Sequence, residues 1–184
     1  MKKTAFLLAV LVAGAVPLAA QSTEFGVLYG GSSRSVDGDA AVELDDNFSF
    51  SRSSIEFYYA NQLEPGTMFK IKLGRIETPV GLATEDGARF DVDGQVQHLD
   101  AVAEYRFSEP FGSAGLFAGI GLYRQVADRN VGDNEMDYGF LAGVNADFPI
   151  SRRYGVILEA THHWTKLPFR PNFLTVSGGF RLRF

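Results

Sequence analysis

The side chains best suited to proton transfer lie side by side at residues 162–165, where the sequence is His-His-Trp-Thr. Successive side chains of an extended strand point to opposite faces, so His163 and Thr165 share one face and His162 takes the other. A histidine beside a hydroxyl group is the pairing used in nucleophilic catalysis, and imidazole is also a common zinc ligand. An isolated pair at a strand end is more typical of an interfacial polar cap. We therefore predict no catalytic residue, no metal site and no cofactor.

Carboxylates are the second chemically capable group, and they concentrate in three polar segments. They are Asp37, Asp39, Glu43, Asp45 and Asp46, then Glu85, Asp86, Asp91 and Asp93, and finally Asp128, Asp133, Glu135 and Asp137. Such oxygens suit Ca²⁺ or Mg²⁺, but the third segment, DRNVGDNEMD, does not match the calcium-loop pattern. A solvated acidic surface is the prediction, and divalent cation binding stays an open alternative.

The N-terminus has the order of a secretory signal peptide. Lys2 and Lys3 precede an apolar stretch over residues 5–16, and small residues follow up to Ala20. About a dozen apolar residues are too few for a membrane-spanning helix, which needs about 20. We predict a signal peptide over residues 1–20 and a single domain over residues 21–184.

Charge and cysteine content exclude several classes of protein. The chain has 17 Lys and Arg against 22 Asp and Glu; removal of the two leader lysines leaves 15 basic side chains, a net charge of about −7. Phosphate binding needs clustered basic side chains, so nucleic acid is not a predicted partner. Because the chain has no cysteine, neither a lipidated cysteine nor a disulfide framework anchors the fold.

Beyond the leader, the dominant hydrophobic period is two, which is typical of half-buried strands. It is clearest at the C-terminus, where Leu174, Val176, Phe180, Leu182 and Phe184 share one face. Eight segments show this period, at about residues 24–33, 48–60, 66–76, 95–107, 114–125, 138–148, 154–165 and 173–184. An even number of strands without a linker favours one sheet closed on itself.

The connections between these segments alternate in length. Short turns, each with a proline, are predicted near residues 61–65, 108–113 and 149–153. Long polar loops are predicted at residues 34–47, 77–94, 126–137 and 166–172. This alternation is the pattern of transmembrane barrels, whose long loops face the outside of the cell.

The polarity of the two strand faces separates a membrane barrel from a soluble one. A soluble barrel fills its interior with apolar side chains, whereas a membrane barrel turns them to lipid. One face of residues 138–148 is apolar from Tyr138 to Phe148, and the other contains Asp147. Tyr138, Phe148 and Trp164 are predicted aromatic girdle residues. The predicted fold is all-β, an eight-stranded antiparallel transmembrane β-barrel with an up-and-down meander; a soluble barrel is the alternative.

The inferred inward faces carry five acidic and five basic side chains. They are Glu56, Lys70, Lys72, Asp100, Glu104, Arg106, Asp147, Glu159, Arg181 and Arg183. Buried charges are tolerated only when paired, so this balance suits a closed, packed interior. If the turn near residues 61–65 folds the second strand onto the third, Glu56 pairs with Lys70. At the seam between the first and last strands, Glu24 is predicted to meet Arg181 or Arg183.

The signal peptide, the eight alternating segments and the final sequence FLTVSGGFRLRF resemble the OmpA/OmpX-type superfamily of small outer-membrane β-barrels. This resemblance covers essentially the whole mature chain. It implies a location in the bacterial outer membrane and contact with outer-membrane lipid. It also implies that Phe180, Leu182 and Phe184 form the signal that the barrel-assembly machinery recognises in this superfamily.

The sequence His163-Trp164-Thr165 resembles, more weakly, the His-x-Ser pair of the outer-membrane lipid A deacylases. Threonine replaces the serine here. The strand period also turns both His163 and Thr165 inward, away from any lipid outside the barrel.

An eight-stranded barrel has an interior just wide enough for its own side chains. The predicted function is therefore non-enzymatic: a structural or surface-interaction role, such as adhesion, through extracellular loops that bind a ligand the sequence does not identify. A narrow porin-like channel for small solutes or ions is the alternative. A lipid A-modifying enzyme is the third hypothesis.

Overall fold

The computed structural model describes residues 22–36, 49–78, 80–83, 89–109, 111–127, 135–167 and 171–184. Within these ranges the chain forms ten β-strands. They are β1 Thr23–Val36, β2 Ser49–Glu64, β3 Thr67–Glu77, β4 Val80–Ala83, β5 Arg89–Val92, β6 Gly94–Glu109, β7 Gly112–Ala127, β8 Met136–Pro149, β9 Tyr154–Thr165 and β10 Pro171–Arg183. No helix in the described ranges is long and apolar enough to cross a membrane.

Eight of the strands close into an antiparallel barrel in the order β1-β10-β9-β8-β7-β6-β3-β2. The first and last strands pair along their whole length, from Glu24 opposite Arg183 to Val36 opposite Pro171. Closure leaves none of these eight strands at an open sheet edge. The predicted eight-stranded meander is confirmed.

The remaining two strands, β4 and β5, form a separate two-stranded hairpin between β3 and β6. The sequence assigns this region to the long loop at residues 77–94 and does not predict the hairpin. Its strands have four residues each, which is too few for a period of two to be recognised.

The pairing of β1 with β2 contains one irregularity. Gly31 pairs with Ser53, but the next residue, Ser32, pairs with Ser49. The extra residues on β2 form a bulge, and the strand faces change across it. Residues before the bulge therefore do not share the parity of Ile55 and the aromatic residues after it; Phe48 lies outside the described ranges.

The turn between β2 and β3 sets the register of these two strands. It is centred on Pro65 and Gly66, and Gly66 has a φ of 81°, a left-handed conformation that favours glycine. The resulting register pairs Tyr58 with Lys72 and Ala60 with Lys70. Glu56 consequently lies opposite Gly74.

The two faces of the barrel differ sharply in polarity. Large apolar side chains are exposed on the outside, including Tyr29, Phe57, Leu73, Ile120, Phe140 and Phe180. Most buried side chains on the inside are polar or charged, and apolar ones gather in small clusters such as Val102, Phe117 and Leu141. This is the arrangement of a membrane barrel, because lipid solvates the apolar face and leaves polar groups to pair internally.

Candidate functional site

The polar interior of the barrel is the candidate site. Alternate residues of a strand share a face, so each barrel strand contributes side chains to this interior at every second position. Ten ionisable side chains, here called the charge network, form contacts of opposite charge. They are Glu24, Glu56, Lys70, Lys72, Glu104, Arg106, Asp147, Glu159, Arg181 and Arg183. All are buried except Arg183, whose side chain is 38% exposed at one end of the barrel.

Glu24 joins the seam of the barrel to the opposite wall. Its Oε1 lies 2.5 Å from Nη2 of Arg183 on β10, and its Oε2 lies 2.9 Å from Nη1 of Arg106 on β6. Glu24 itself is fully buried. Of the two partners expected at the seam, Arg183 is the one that contacts Glu24, whereas Arg181 donates from Nε to Oδ2 of Asp147 at 2.6 Å.

Glu104 connects two cations in the same half of the barrel. It forms ion pairs with Lys70 on the neighbouring strand β3 and with Arg106 on its own strand. Arg106 thus contacts Glu24 and Glu104 together, and its Nη1 also lies 3.9 Å from Asp147. A guanidinium group with several donors suits such a shared position.

Lys72 bridges two carboxylates near the middle of the barrel. Its ammonium group lies 2.5 Å from Oε1 of Glu159 and 2.9 Å from Oε1 of Glu56. Thr161 also donates to Oε1 of Glu159, at 2.9 Å. The predicted pair of Glu56 with Lys70 is therefore wrong: the turn lies at Pro65 and Gly66, two residues later than the centre that this pairing requires.

Aromatic rings lie against the ammonium groups of the charge network. Lys70 is 4.9 Å from the ring centroid of Tyr58, and Lys72 is 4.9 Å from that of Phe117, distances at which a cation is attracted to a ring face. Inward glycines make room for these rings: a Cβ atom at Gly26 would collide with Tyr58, and one at Gly143 with Phe117. The interior is therefore packed with side chains.

Four further side chains, here called the histidine layer, lie beside the charge network: His98, Asp100, Tyr123 and His163. Nδ1 of His98 is 2.6 Å from Oδ2 of Asp100, and the Tyr123 hydroxyl is 3.0 Å from Nδ1 of His163. The two imidazole rings are 5.3 Å apart between centroids. All four side chains are buried.

The position of His163 corrects the sequence interpretation of the histidine pair. His163 is only 1% exposed and lies inside the barrel, so it is not part of an interfacial cap. His162 points outward, and its ring centroid is 4.3 Å from that of Trp164. The two adjacent histidines thus have different environments.

Solved structures with the same architecture include those of several small outer-membrane proteins. Neisserial surface protein A superposes with a TM-score of 0.64 at 15% identity, covering 88% of this chain and 97% of that protein. The N-terminal barrel domain of Pseudomonas aeruginosa OprF gives a TM-score of 0.56 at 11% identity, with coverage of 90% and 98%. Ail, the attachment invasion locus protein of Yersinia pestis, gives 0.55 at 16% identity, with coverage of 89% and 98%. The chain has the fold of the small outer-membrane β-barrels. No protein-family profile and no curated protein matches the sequence.

The barrel has two distinct ends. At the end of the long loops, Ile76, Val96, Leu167 and Phe173 pack with Tyr123 into an apolar cluster, here called the roof, that covers the histidine layer. In outer-membrane barrels the long loops are extracellular and the short turns periplasmic. The roof therefore closes the interior at the long-loop end, which is the extracellular end in barrels of that class.

At the opposite end, a polar cavity of about 300 Å³ opens between the short turns. Met68, Arg106, Asp147 and Arg181 contribute to its lining. These are buried residues, three of them in the charge network, so the cavity ends on packed side chains.

The remaining predicted residues lie on the outside of the barrel or at its ends. Tyr138, Phe148 and Trp164, the predicted girdle residues, are about half exposed, as are many aromatic residues on this face. Phe180 and Phe184 are exposed, and Leu182 is partly buried on the same face.

Thr165 is buried on the inward face, where its hydroxyl group donates to the backbone oxygen of Pro171 at 2.7 Å. Like His163, it lies on the face away from lipid.

Sequence reasoning missed His98, Tyr123 and Tyr58, although the signal was present. His98 has the same parity as Asp100, Glu104 and Arg106 on β6. A search for formally charged side chains leaves out histidine and tyrosine, which also need hydrogen-bond partners when buried.

Proposed function

We propose that this outer-membrane barrel has a non-enzymatic, structural or surface-interaction role exerted through its extracellular loops. The observation that carries the proposal is the filled interior. From Arg106 near the periplasmic end, through Lys72 in the middle, to Phe173 in the roof, the interior positions are occupied by buried, mutually contacting side chains. A barrel closed in this way serves best as a rigid support for its loops.

The charge of the loops favours a cationic partner. Fourteen acidic side chains fall in the first three long connections, including Glu77 at the start of the second, and most of them lie outside the described ranges. Neighbours of this fold include a surface protein of Neisseria and the attachment invasion locus protein of Yersinia pestis, solved with a heparin analogue. Heparin-like polyanions would be repelled by acidic loops, so a basic peptide or protein surface is the better match here.

Binding to immobilised polymers tests this role. The protein, refolded and placed in nanodiscs, should bind polylysine and not heparin, with an affinity that falls as salt is added. A matched variant with the acids of residues 37–46 changed to Asn or Gln should lose most of the binding and keep its heat-modifiable gel migration. Equal binding by this variant, or stronger binding to heparin, would contradict the proposal.

A narrow pore is the second candidate, and the polar cavity at the periplasmic end favours it. Planar-bilayer recordings distinguish the two. A filled interior predicts a silent bilayer, whereas discrete ohmic steps would make the protein a small channel. In that case Lys72→Met, which removes the cation in the middle of the barrel, should alter the conductance.

Assembly is proposed to depend on Phe184 and the apolar residues of alternating parity before it. Deleting Phe184 should reduce insertion by the barrel-assembly machinery in cells and leave refolding into detergent unchanged. Normal insertion of the truncated chain would show that the machinery does not need this residue.

A further inference from the structure

We propose that the histidine layer is a binding site for a divalent transition-metal ion of the zinc or cobalt type, with His98, Asp100 and His163 as its ligands. This inference is independent of the role of the loops. It concerns a set of side chains deep in the barrel that neither adhesion nor conduction requires.

The geometry brings the three candidate ligands into one small volume. A ligand atom from each of His98, Asp100 and His163 lies within 4.8 Å of the other two. In a tetrahedral zinc site with bonds of about 2.0–2.1 Å, the ligand atoms are about 3.3 Å apart. The ligand atoms would therefore need to approach one another by at most about 1.5 Å to close around an ion, a change that side-chain rotation can supply. The ligands lie on the rigid strands β6 and β9, which restricts them to this arrangement.

The hydrogen bond of His163 has the form found around bound metals. Metal-ligating histidines use one ring nitrogen for the ion and the other for a fixed hydrogen-bond partner. The Tyr123 hydroxyl contacts Nδ1 of His163 and leaves Nε2 of that ring for an ion. Oδ1 of Asp100 is buried without a hydrogen-bond partner, while Oδ2 contacts His98.

The charge balance of the interior also favours a cation at this point. In the charge network, five carboxylates meet five basic side chains. Asp100 is an additional buried carboxylate, and the histidine layer contains no Lys or Arg. The buried Arg34 of β1 belongs to neither group and has interactions of its own. A divalent ion held by the imidazoles, or a proton on His98, would supply the positive charge that Asp100 requires.

The donor set selects the kind of ion. Two imidazole nitrogens and one carboxylate suit Zn²⁺, Co²⁺, Ni²⁺ or Cu²⁺, whereas Ca²⁺ and Mg²⁺ prefer sites made of oxygen ligands. Because the roof covers the layer, we expect the ion to enter while the barrel folds and to leave slowly afterwards.

The test is to refold the protein with excess Co²⁺ or Zn²⁺, remove loosely held metal with a chelator and gel filtration, and count the ions retained. The wild type should keep one ion per chain, and the Co²⁺ form should show the visible absorption of a tetrahedral complex. His98→Gln and His163→Gln should lose the retained ion. Tyr123→Phe should weaken binding about 10- to 100-fold, as loss of an orienting partner does.

His162→Gln is the matched control, because it changes the adjacent histidine on the outer face. This variant should retain metal like the wild type. Loss of the ion from His162→Gln alone, equal retention by all variants, or no retained ion in the wild type would overturn the proposal. Heat-modifiable gel migration shows which variants have folded.

If either inward variant fails to fold, the wild-type Co²⁺ complex still decides the question. Its NMR spectrum should show strong paramagnetic shifts for the ring protons of His98 and His163 and small ones for His162. The reverse pattern would place the ion outside the barrel and overturn the assignment.

Discussion

The charge network and the histidine layer share one barrel interior, but they satisfy buried polar atoms in different ways. In the charge network each carboxylate contacts at least one Lys or Arg, and cations such as Arg106 and Lys72 each serve two carboxylates. In the histidine layer the contacts are hydrogen bonds between His98 and Asp100 and between Tyr123 and His163. The first region holds strands together by ion pairs with Lys and Arg, and the second places two imidazoles, a carboxylate and a hydroxyl group around a small space.

This difference predicts how each region responds to mutation. Removing one partner of a buried ion pair leaves an uncompensated charge and costs about 3–5 kcal/mol. Removing one neutral hydrogen-bond partner costs about 1–3 kcal/mol. The charge network should therefore control barrel stability, whereas the histidine layer should tolerate substitution and retain the freedom to bind a ligand.

Lys72→Met should give the largest effect, because it leaves Glu56 and Glu159 without their shared cation while keeping a side chain of similar volume. We expect a loss of about 3–5 kcal/mol in the free energy of unfolding. Urea unfolding in detergent, followed by the fluorescence of Trp164, the only tryptophan, measures it.

Leu73→Met, at the next position on the outer face, is the control and should change the free energy of unfolding by less than about 0.5 kcal/mol. If Lys72→Met were as stable as this control, the carboxylates would be neutral in the folded barrel, and the comparison between the two regions would fail.

A double-mutant cycle between Glu56→Gln and Lys72→Met should give a coupling energy of about 1–3 kcal/mol. The parallel cycle between Glu56→Gln and Lys70→Met should be additive within about 0.5 kcal/mol, since Lys70 contacts Glu104 instead. Coupling of Glu56 to Lys70 in place of Lys72 would mean that β2 and β3 pair in the register expected from the sequence.

The strands and their faces were predictable because one rule governs both. A period of two marks a strand with two different environments, and the polar parity of β6 and β8 identified the inward positions of Glu104 and Asp147. The outward aromatic residues follow from the same rule. No knowledge of contacts between strands was needed for this part of the structure.

Pairing partners were harder to predict because they depend on register. The observed turn is centred two residues later than the predicted pairing of Glu56 with Lys70 requires, and this moves every partner of β2 by four positions along β3. The left-handed conformation of Gly66 sets the position of the turn. The contacts across the interior, such as that of Lys72 on β3 with Glu159 on β9, depend on how the whole barrel closes. The histidine layer joins β6 to β9 in the same way, so the sequence alone did not reveal it.

Tyr123→Phe tests the histidine layer in the metal-free protein. It removes the hydroxyl that contacts Nδ1 of His163 and keeps the ring within the roof cluster. We expect a loss of about 1 kcal/mol in the free energy of unfolding, well below that of Lys72→Met. A loss as large as that of Lys72→Met would show that the layer and the charge network contribute to stability alike.

His162→Gln should have the smallest effect and sets the baseline for the comparison. His162 faces outward and stacks near Trp164, so its replacement removes no interior contact. The fluorescence intensity of Trp164 should change because its neighbour has changed. The free energy of unfolding in urea should stay within about 0.5 kcal/mol of the wild-type value. A larger destabilisation than that of Tyr123→Phe would mean that contacts on the outer face contribute more to stability than the histidine layer does.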